Sequence, residues 1–251
     1  MHLIYLVSTC TCLLLLSSAA PSAVPDQTEQ DAFTADQLLD RMSKAYATCK
    51  SYRDSGTVKN VYIRADGEQT VEKPFTTAFV RPDRFRFEYR DQKTNNRQYR
   101  YIIWSDGKVV QTWWDVRPGI EKPDSLAMAL ESATGVSSGA ARRMPGLLIS
   151  DPLGAGWEIK RLRDLKRLDD AKLDTVDCFR VQGETGTRTQ TPVTFTRGPV
   201  TLWIEKSTFL VRRIDEQGKF DTFRTEQTTT YDPVFDGEIT DKMLEFDPPK
   251  K

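Results

Sequence analysis

Two rhythms of hydrophobic and polar residues divide this chain. Near the start, apolar positions recur at helical spacing, at Leu38, Met42, Ala45 or Tyr46, and Cys49. Thr34 is placed to cap that helix, and Gln37, three residues on, completes a capping box. A helix is therefore predicted to end near Lys50. The segment Ser51-Tyr52-Arg53-Asp54-Ser55-Gly56 breaks the period and reads as a turn. Beyond it the period becomes two. Phe85, Phe87 and Tyr89 alternate with Arg84, Arg86 and Glu88. Tyr99, Tyr101 and Ile103 alternate with Arg100 and Ile102, and Val200, Leu202 and Ile204 with Thr201 and Trp203. Such alternation marks strands with two unlike faces. Asp66-Gly67, Arg81-Pro82-Asp83, Asp106-Gly107 and Gln217-Gly218 read as turns between strands. Connections this short join antiparallel neighbours. Roughly ten strands are predicted on this pattern.

One stretch lacks the two-residue period. Residues 117–156 read as an insertion. Asp124 or Ser125 can cap a helix through Leu126, Met128 and Leu130 that ends near Gly135. A second short helix is predicted from about Gly139, limited by Pro145, and is followed by Leu147, Leu148, Ile149 and Leu153. An apolar insertion of this length inside a meander often covers something.

Phe85, Phe87, Tyr89, Tyr101, Ile103 and Trp113 are expected to share one face. Buried aromatic side chains occupy ~150–250 Å² each, so five of them make a patch on the order of 1,000 Å². Soluble monomers rarely leave that much apolar surface open. The face must be closed by a second sheet, by helices or by a ligand. A hollow under a helical lid and a fully packed β core are both open on these residues alone.

The N-terminus changes the setting. Leu3 to Leu16 is an apolar run of 14 residues, followed by the small residues Ser17, Ser18, Ala19 and Ala20. This reads as a signal peptide, residues 1–20, cleaved after Ala20, and it is too short to span a bilayer comfortably. No Lys or Arg precedes the run, which leaves an uncleaved anchor as the other reading. A polar, Pro-containing leader (21–32) precedes one domain over 33–251. The expected location is the periplasm or the exterior. Lys plus Arg and Asp plus Glu each number 36, a balance that argues against nucleic acid as the main partner. The basic residues Lys160, Arg161, Arg163, Lys166 and Arg167 are interleaved with acids and read as a solvated face.

His2 is the only histidine, and it leaves with the signal. A Ser-His-Asp triad and His-ligated zinc are thereby excluded. Gly154-Ala155-Gly156 lacks the Lys-Ser/Thr continuation of a phosphate loop. Carboxylate-pair hydrolysis stays as a minor alternative, with no pair singled out by spacing. The chain is read as a non-enzyme without metal or cofactor. Cys49 and Cys178 survive cleavage; in an oxidising compartment they are expected to form a disulfide, with two buried thiols as the alternative. Arg142-Arg143 could meet a lipid headgroup, although a solvated helix end is the plainer reading.

Three segments together resemble a known family: the helix with Ser51-Tyr52-Arg53-Asp54-Ser55-Gly56, the hairpin from Leu202 through Trp203, Glu205, Arg212 and Arg213 to Ile214, and the terminal Phe246-Asp247-Pro248-Pro249. They resemble the periplasmic lipoprotein-carrier superfamily of LolA and LolB type. The resemblance implies a mainly β fold, an incomplete antiparallel barrel with an N-terminal helix and a helical lid over an apolar cavity. It also implies a monomeric carrier of lipid or lipoprotein acyl chains. On that reading Phe85, Phe87, Tyr89, Tyr101, Ile103, Trp113, Leu202 and Ile204 line the cavity. Leu126, Met128, Leu130, Leu147 and Leu148 belong to the lid. The rival reading is an envelope structural or sensory module that binds a protein partner.

Overall fold

The computed structural model describes residues 33–93, 97–149, 159, 161–185, 188–190 and 193–249. The expected signal peptide and leader lie outside the described residues. Helix α1 (Ala35–Thr48) forms as its sequence predicts. The Thr34 hydroxyl accepts from the Gln37 backbone N–H at 3.3 Å, and the Gln37 side chain accepts from the Thr34 N–H at 2.9 Å. Leu38, Met42 and Tyr46 form its fully buried stripe.

Among the described residues thirteen strands follow in one antiparallel sheet. The first run is a meander: β1 (Ser51–Arg64), β2 (Gly67–Val80), β3 (Arg84–Lys93), β4 (Arg97–Asp106), β5 (Val110–Trp114) and β6 (Arg117–Glu121). After helices α2 (Leu126–Ala133) and α3 (Pro145–Leu148) come β7 (Arg163–Leu173), β8 (Val176–Glu184), β9 (Arg188–Gln190), β10 (Val193–Glu205), β11 (Val211–Phe220), β12 (Arg224–Tyr231) and β13 (Val234–Phe235). The order across the sheet is β6-β5-β4-β3-β2-β1-β12-β11-β10-β8-β7. Strand β12 pairs with β1, which joins the two halves. Among the described residues β6 and β7 do not pair, so the barrel is incomplete.

The inner face carries the core. Register aligns Tyr52 with Phe79 and Phe79 with Phe85, so these three share it. Phe87 with Ile103, and Tyr89 with Tyr101, extend it across β3 and β4. In the other half, Val181, Leu202 and Ile214 lie side by side. Helix α2 packs on β4 and β5, whereas α1 packs on β7, β8 and α3. Helices, not a second sheet, close the face.

Several local expectations are corrected. Ser51–Gly56 is no turn; it opens β1, whose partner strand accepts its full length. Gly56 earns its place by crowding, because a Cβ there would lie 2.4 Å from Phe75 Cζ and 2.3 Å from the Thr230 carbonyl. Gln217-Gly218 lies within β11, opposite a bulge in β10 at Arg197–Val200, and the turn comes later. The insertion is shorter at its start, since Arg117–Glu121 pairs with β5 as an edge strand. Pro145 begins its short helix instead of limiting one, as suits a residue whose missing N–H costs nothing at a first turn. Turns fill 134–144.

The cysteines do not form a disulfide. Cys49 ends α1 on the inner side, where its thiol lies 3.3 Å from the Tyr46 carbonyl. Cys178 pairs in register with Glu205, whose neighbour Ile204 lies inside, so its side chain leaves the sheet on the opposite face. Both thiols are buried, and burial raises both pKa values, that of Cys178 to about 11.

Candidate functional site: the inner face under the insertion

The expected cavity residues converge with one exception. Phe85, Phe87, Tyr89, Tyr101, Ile103, Leu202 and Ile204 all belong to one buried cluster. Trp113 does not. It pairs with Ile102, whereas Trp114 pairs with Tyr101. Directly paired residues share a face, so Trp113 faces outward and Trp114 inward. The Trp114 ring packs 5.9 Å from that of Tyr101.

The insertion supplies the other side of the cluster. Leu130, Ala129, Ala133, Met144, Leu147 and Leu148 are buried in it, and Leu126 packs against its edge. Met128 is 44% exposed and points away. The reason is helical spacing: Leu126, Ala129, Leu130 and Ala133 form one stripe, and Met128 falls off it.

A second feature was not expected. The inner face carries a polar strip along β1, β12 and β11. At one end the Tyr52 hydroxyl donates to Asp54 Oδ2 at 2.6 Å. Asp54 is buried, and burial pushes its carboxyl up to about 6, against the moderating contacts of Tyr52 and Thr77. Burial also raises the phenols of Tyr46, Tyr52 and Tyr231. Asp54 Oδ1, Thr77 Oγ1 and the Tyr231 hydroxyl have no well-formed hydrogen bond among the described residues.

At the other end the strip meets the insertion. Arg143 is 8% exposed, not solvated, and forms an ion pair with Glu216 of β11. Its guanidinium also donates to Thr229 Oγ1 at 2.9 Å. The Gln227 amide donates to Glu216 Oε2 at 3.0 Å and to the Ser138 carbonyl at 3.1 Å. Asn60 donates to the Ser138 hydroxyl at 3.1 Å, and Lys73 to the Val136 carbonyl at 2.8 Å. Arg142 pairs instead with Glu131 at 3.0 Å. A cleft of about 250 Å³ lies beside the Arg143–Glu216 pair, lined also by Ser138, Arg197, Val200 and Gln227. In the sequence the β12 part of this strip is Gln227-Thr228-Thr229-Thr230, a run without apolar residues.

The outer face has its own closure. Glu88 is buried between Arg86, Arg90 and Arg100, the last donating at 2.9 and 3.0 Å. Burial opposes ionisation, but the Arg100, Arg86 and Arg90 guanidiniums prevail and hold its carboxyl down at about 2. The C-terminal segment straps this cluster. Asp247 accepts from Arg86 and Arg100, the Trp104 indole donates to the Leu244 carbonyl at 2.7 Å, and the Phe246 ring lies 5.6 Å from Trp104. Among the described residues no group of three or more His, Cys, Asp or Glu side chains could hold a metal ion.

No protein-family model matches the chain, and no curated protein matches it by sequence. Solved structures do. LprF from Mycobacterium bovis aligns over 82% of this chain and 94% of its own, at 15% identity and a TM-score of 0.42. The lipoprotein LppX of Mycobacterium tuberculosis aligns over 82% and 97%, at 10% identity and a TM-score of 0.43. A LolA superfamily protein from Nitrosomonas europaea aligns over 86% and 99%, at 12% identity and a TM-score of 0.30.

Proposed function

We propose that this protein is an exported carrier that takes acyl chains of a lipid or lipoprotein between its open sheet and its insertion. One observation carries the reading. The sheet's large apolar face is covered by a short helical insertion and not by a second sheet, and part of the insertion's hold on the sheet is polar. Such a cover can be exchanged for a ligand of similar shape without dismantling the sheet. Acyl chains would replace Leu130, Met144, Leu147 and Leu148, apolar surface for apolar surface. Each buried methylene contributes about 0.8 kcal/mol, so about ten supply about 8 kcal/mol before ordering costs, which sets micromolar binding as the upper bound for a chain of that length. Transfer follows from the same balance, because reclosure of the insertion offsets release of the chain. On this reading the N-terminal segment directs the protein to the periplasm or exterior, and it acts there as a monomer without catalysis.

The test is gentle extraction followed by mass spectrometry for copurified lipid, together with titration of delipidated protein with fatty acid. The expected result is bound lipid and a saturable change in tryptophan emission. Absence of both would remove the carrier reading and favour a module that binds a protein partner.

A further inference from the structure

The inner face holds two carboxylates along one polar strip, Asp54, which is buried, and Glu216, which is half-buried. The guanidinium that faces Glu216 belongs to Arg143, and Arg143 sits on the insertion, not on the sheet. Lys73, whose amine touches the insertion at the Val136 carbonyl, is held at 3.4 Å by Asp91. A ligand that displaces the insertion therefore separates Glu216 from its cation. Glu216 is half-buried beneath the insertion, and a ligand that takes the insertion's place covers it again; a carboxylate covered without a partner is destabilising. Gln227 and Thr229 stay behind on the sheet and add a donor and a hydroxyl beside it. Arg197 lines the same cleft.

We infer that the ligand taken under the insertion carries a primary ammonium in its headgroup, which replaces the Arg143 guanidinium at Glu216. This rests on the carrier reading and adds the headgroup class to it. The strip explains why the face is not uniformly apolar: acyl chains meet the Phe87 and Leu202 regions, and the headgroup meets Glu216, Gln227 and Thr229. A simple alkylamine and a phosphoethanolamine lipid share this chemistry, and the experiment separates them.

The full chain, delipidated, is titrated with lysophosphatidylethanolamine and lysophosphatidylglycerol of the same acyl chain, and with the alkylamine of that length. The first two share a phosphate and differ in the ammonium. A charge-assisted contact of this kind corresponds to about tenfold tighter binding of the ethanolamine lipid. Glu216→Gln should reduce that ratio to about one. Arg143→Gln should keep the ratio and tighten binding of the ethanolamine lipid, since it removes the competing guanidinium. If the alkylamine binds as tightly as the ethanolamine lipid, the ammonium suffices; if it binds more weakly, the phosphate contributes as well. Equal binding of the two lysolipids, or a preference that survives Glu216→Gln, overturns the inference and leaves the carrier reading standing. If no lysolipid binds, both fall together.

Discussion

The Tyr52 hydroxyl donates to Asp54 at 2.6 Å inside the sheet, so a carboxyl is held where water does not reach. Burial raises its pKa to about 6, against about 3.9 in an unfolded chain. The folded state therefore binds this proton more tightly. The contribution to stability is complete below pH ~4, and it is lost as pH rises through ~6. A shift of about two units corresponds to about 3 kcal/mol. Asp54→Asn keeps an acceptor for Tyr52 and removes the titration. Stabilities from urea unfolding at pH 4.5 and 7.5 should show the parent losing about 2 kcal/mol more than the variant over this interval. Identical pH slopes would show that Asp54 is not held this way.

Glu88 has the opposite sign. Its folded pKa of about 2 lies below the unfolded value, so its contribution is present above pH ~4.3 and is lost as pH falls toward 2. Glu88→Gln leaves Arg86, Arg90 and Arg100 crowded without their shared carboxylate, and removing one partner of a buried pair costs about 3–5 kcal/mol. The variant's thermal midpoint should fall sharply at pH 7 and should approach the parent's near pH 2. A midpoint at pH 7 within a degree or two of the parent's would mean that Asp247 takes over the cluster.

Gly56 and Gly135 make a matched pair. A Cβ on Gly56 meets a backbone carbonyl and the Phe75 ring at distances no real contact shows, whereas one on Gly135 meets nothing within 4 Å. Gly56→Ala should cost at least about 1–3 kcal/mol through overpacking, because the Thr230 backbone cannot step aside. Gly135→Ala should gain about 0.4–1 kcal/mol by restricting the unfolded chain. Chemical denaturation of the two variants side by side checks both signs.

The strand halves were legible because alternation is a local signal. Arg84 to Tyr89 and Val200 to Ile204 each declare their inward residues within six positions. The capping box of α1 is equally local. What escaped the pattern depends on partners far along the chain. Ser51–Gly56 reads as a turn until β2 and β13 pair with it. Trp113 and Trp114 are indistinguishable until register with Ile102 and Tyr101 assigns their faces. The polar strip was hidden for the same reason: Glu216, Gln227 and Thr229 look like an outer surface until partners far along the chain, such as Arg143, 73 residues before Glu216, and Val58 and Asn60 of β1, show that they face inward. The cysteines had matching chemistry, but Cys49 packs at the helix end on the inner side of the sheet and the Cys178 side chain leaves the sheet on the outer side.

The two adjacent tryptophans provide a direct report on where a ligand enters. Trp114 packs against Tyr101 at the edge of the inner cluster, where α2 covers β4 and β5. Trp113 stands on the outer face beside Ile102 and opposite Ile120 of the edge strand. An acyl chain that slips beneath the insertion changes the surroundings of Trp114 and leaves those of Trp113 alone. Emission should therefore respond to added fatty acid in the parent and in Trp113→Phe, and the response should fall by at least half in Trp114→Phe. The binding constant, measured independently by calorimetry, should change little in Trp113→Phe. A response that vanishes with Trp113 and persists without Trp114 would place the ligand on the outer face, and the inner face would then be a packed core with no carrier role.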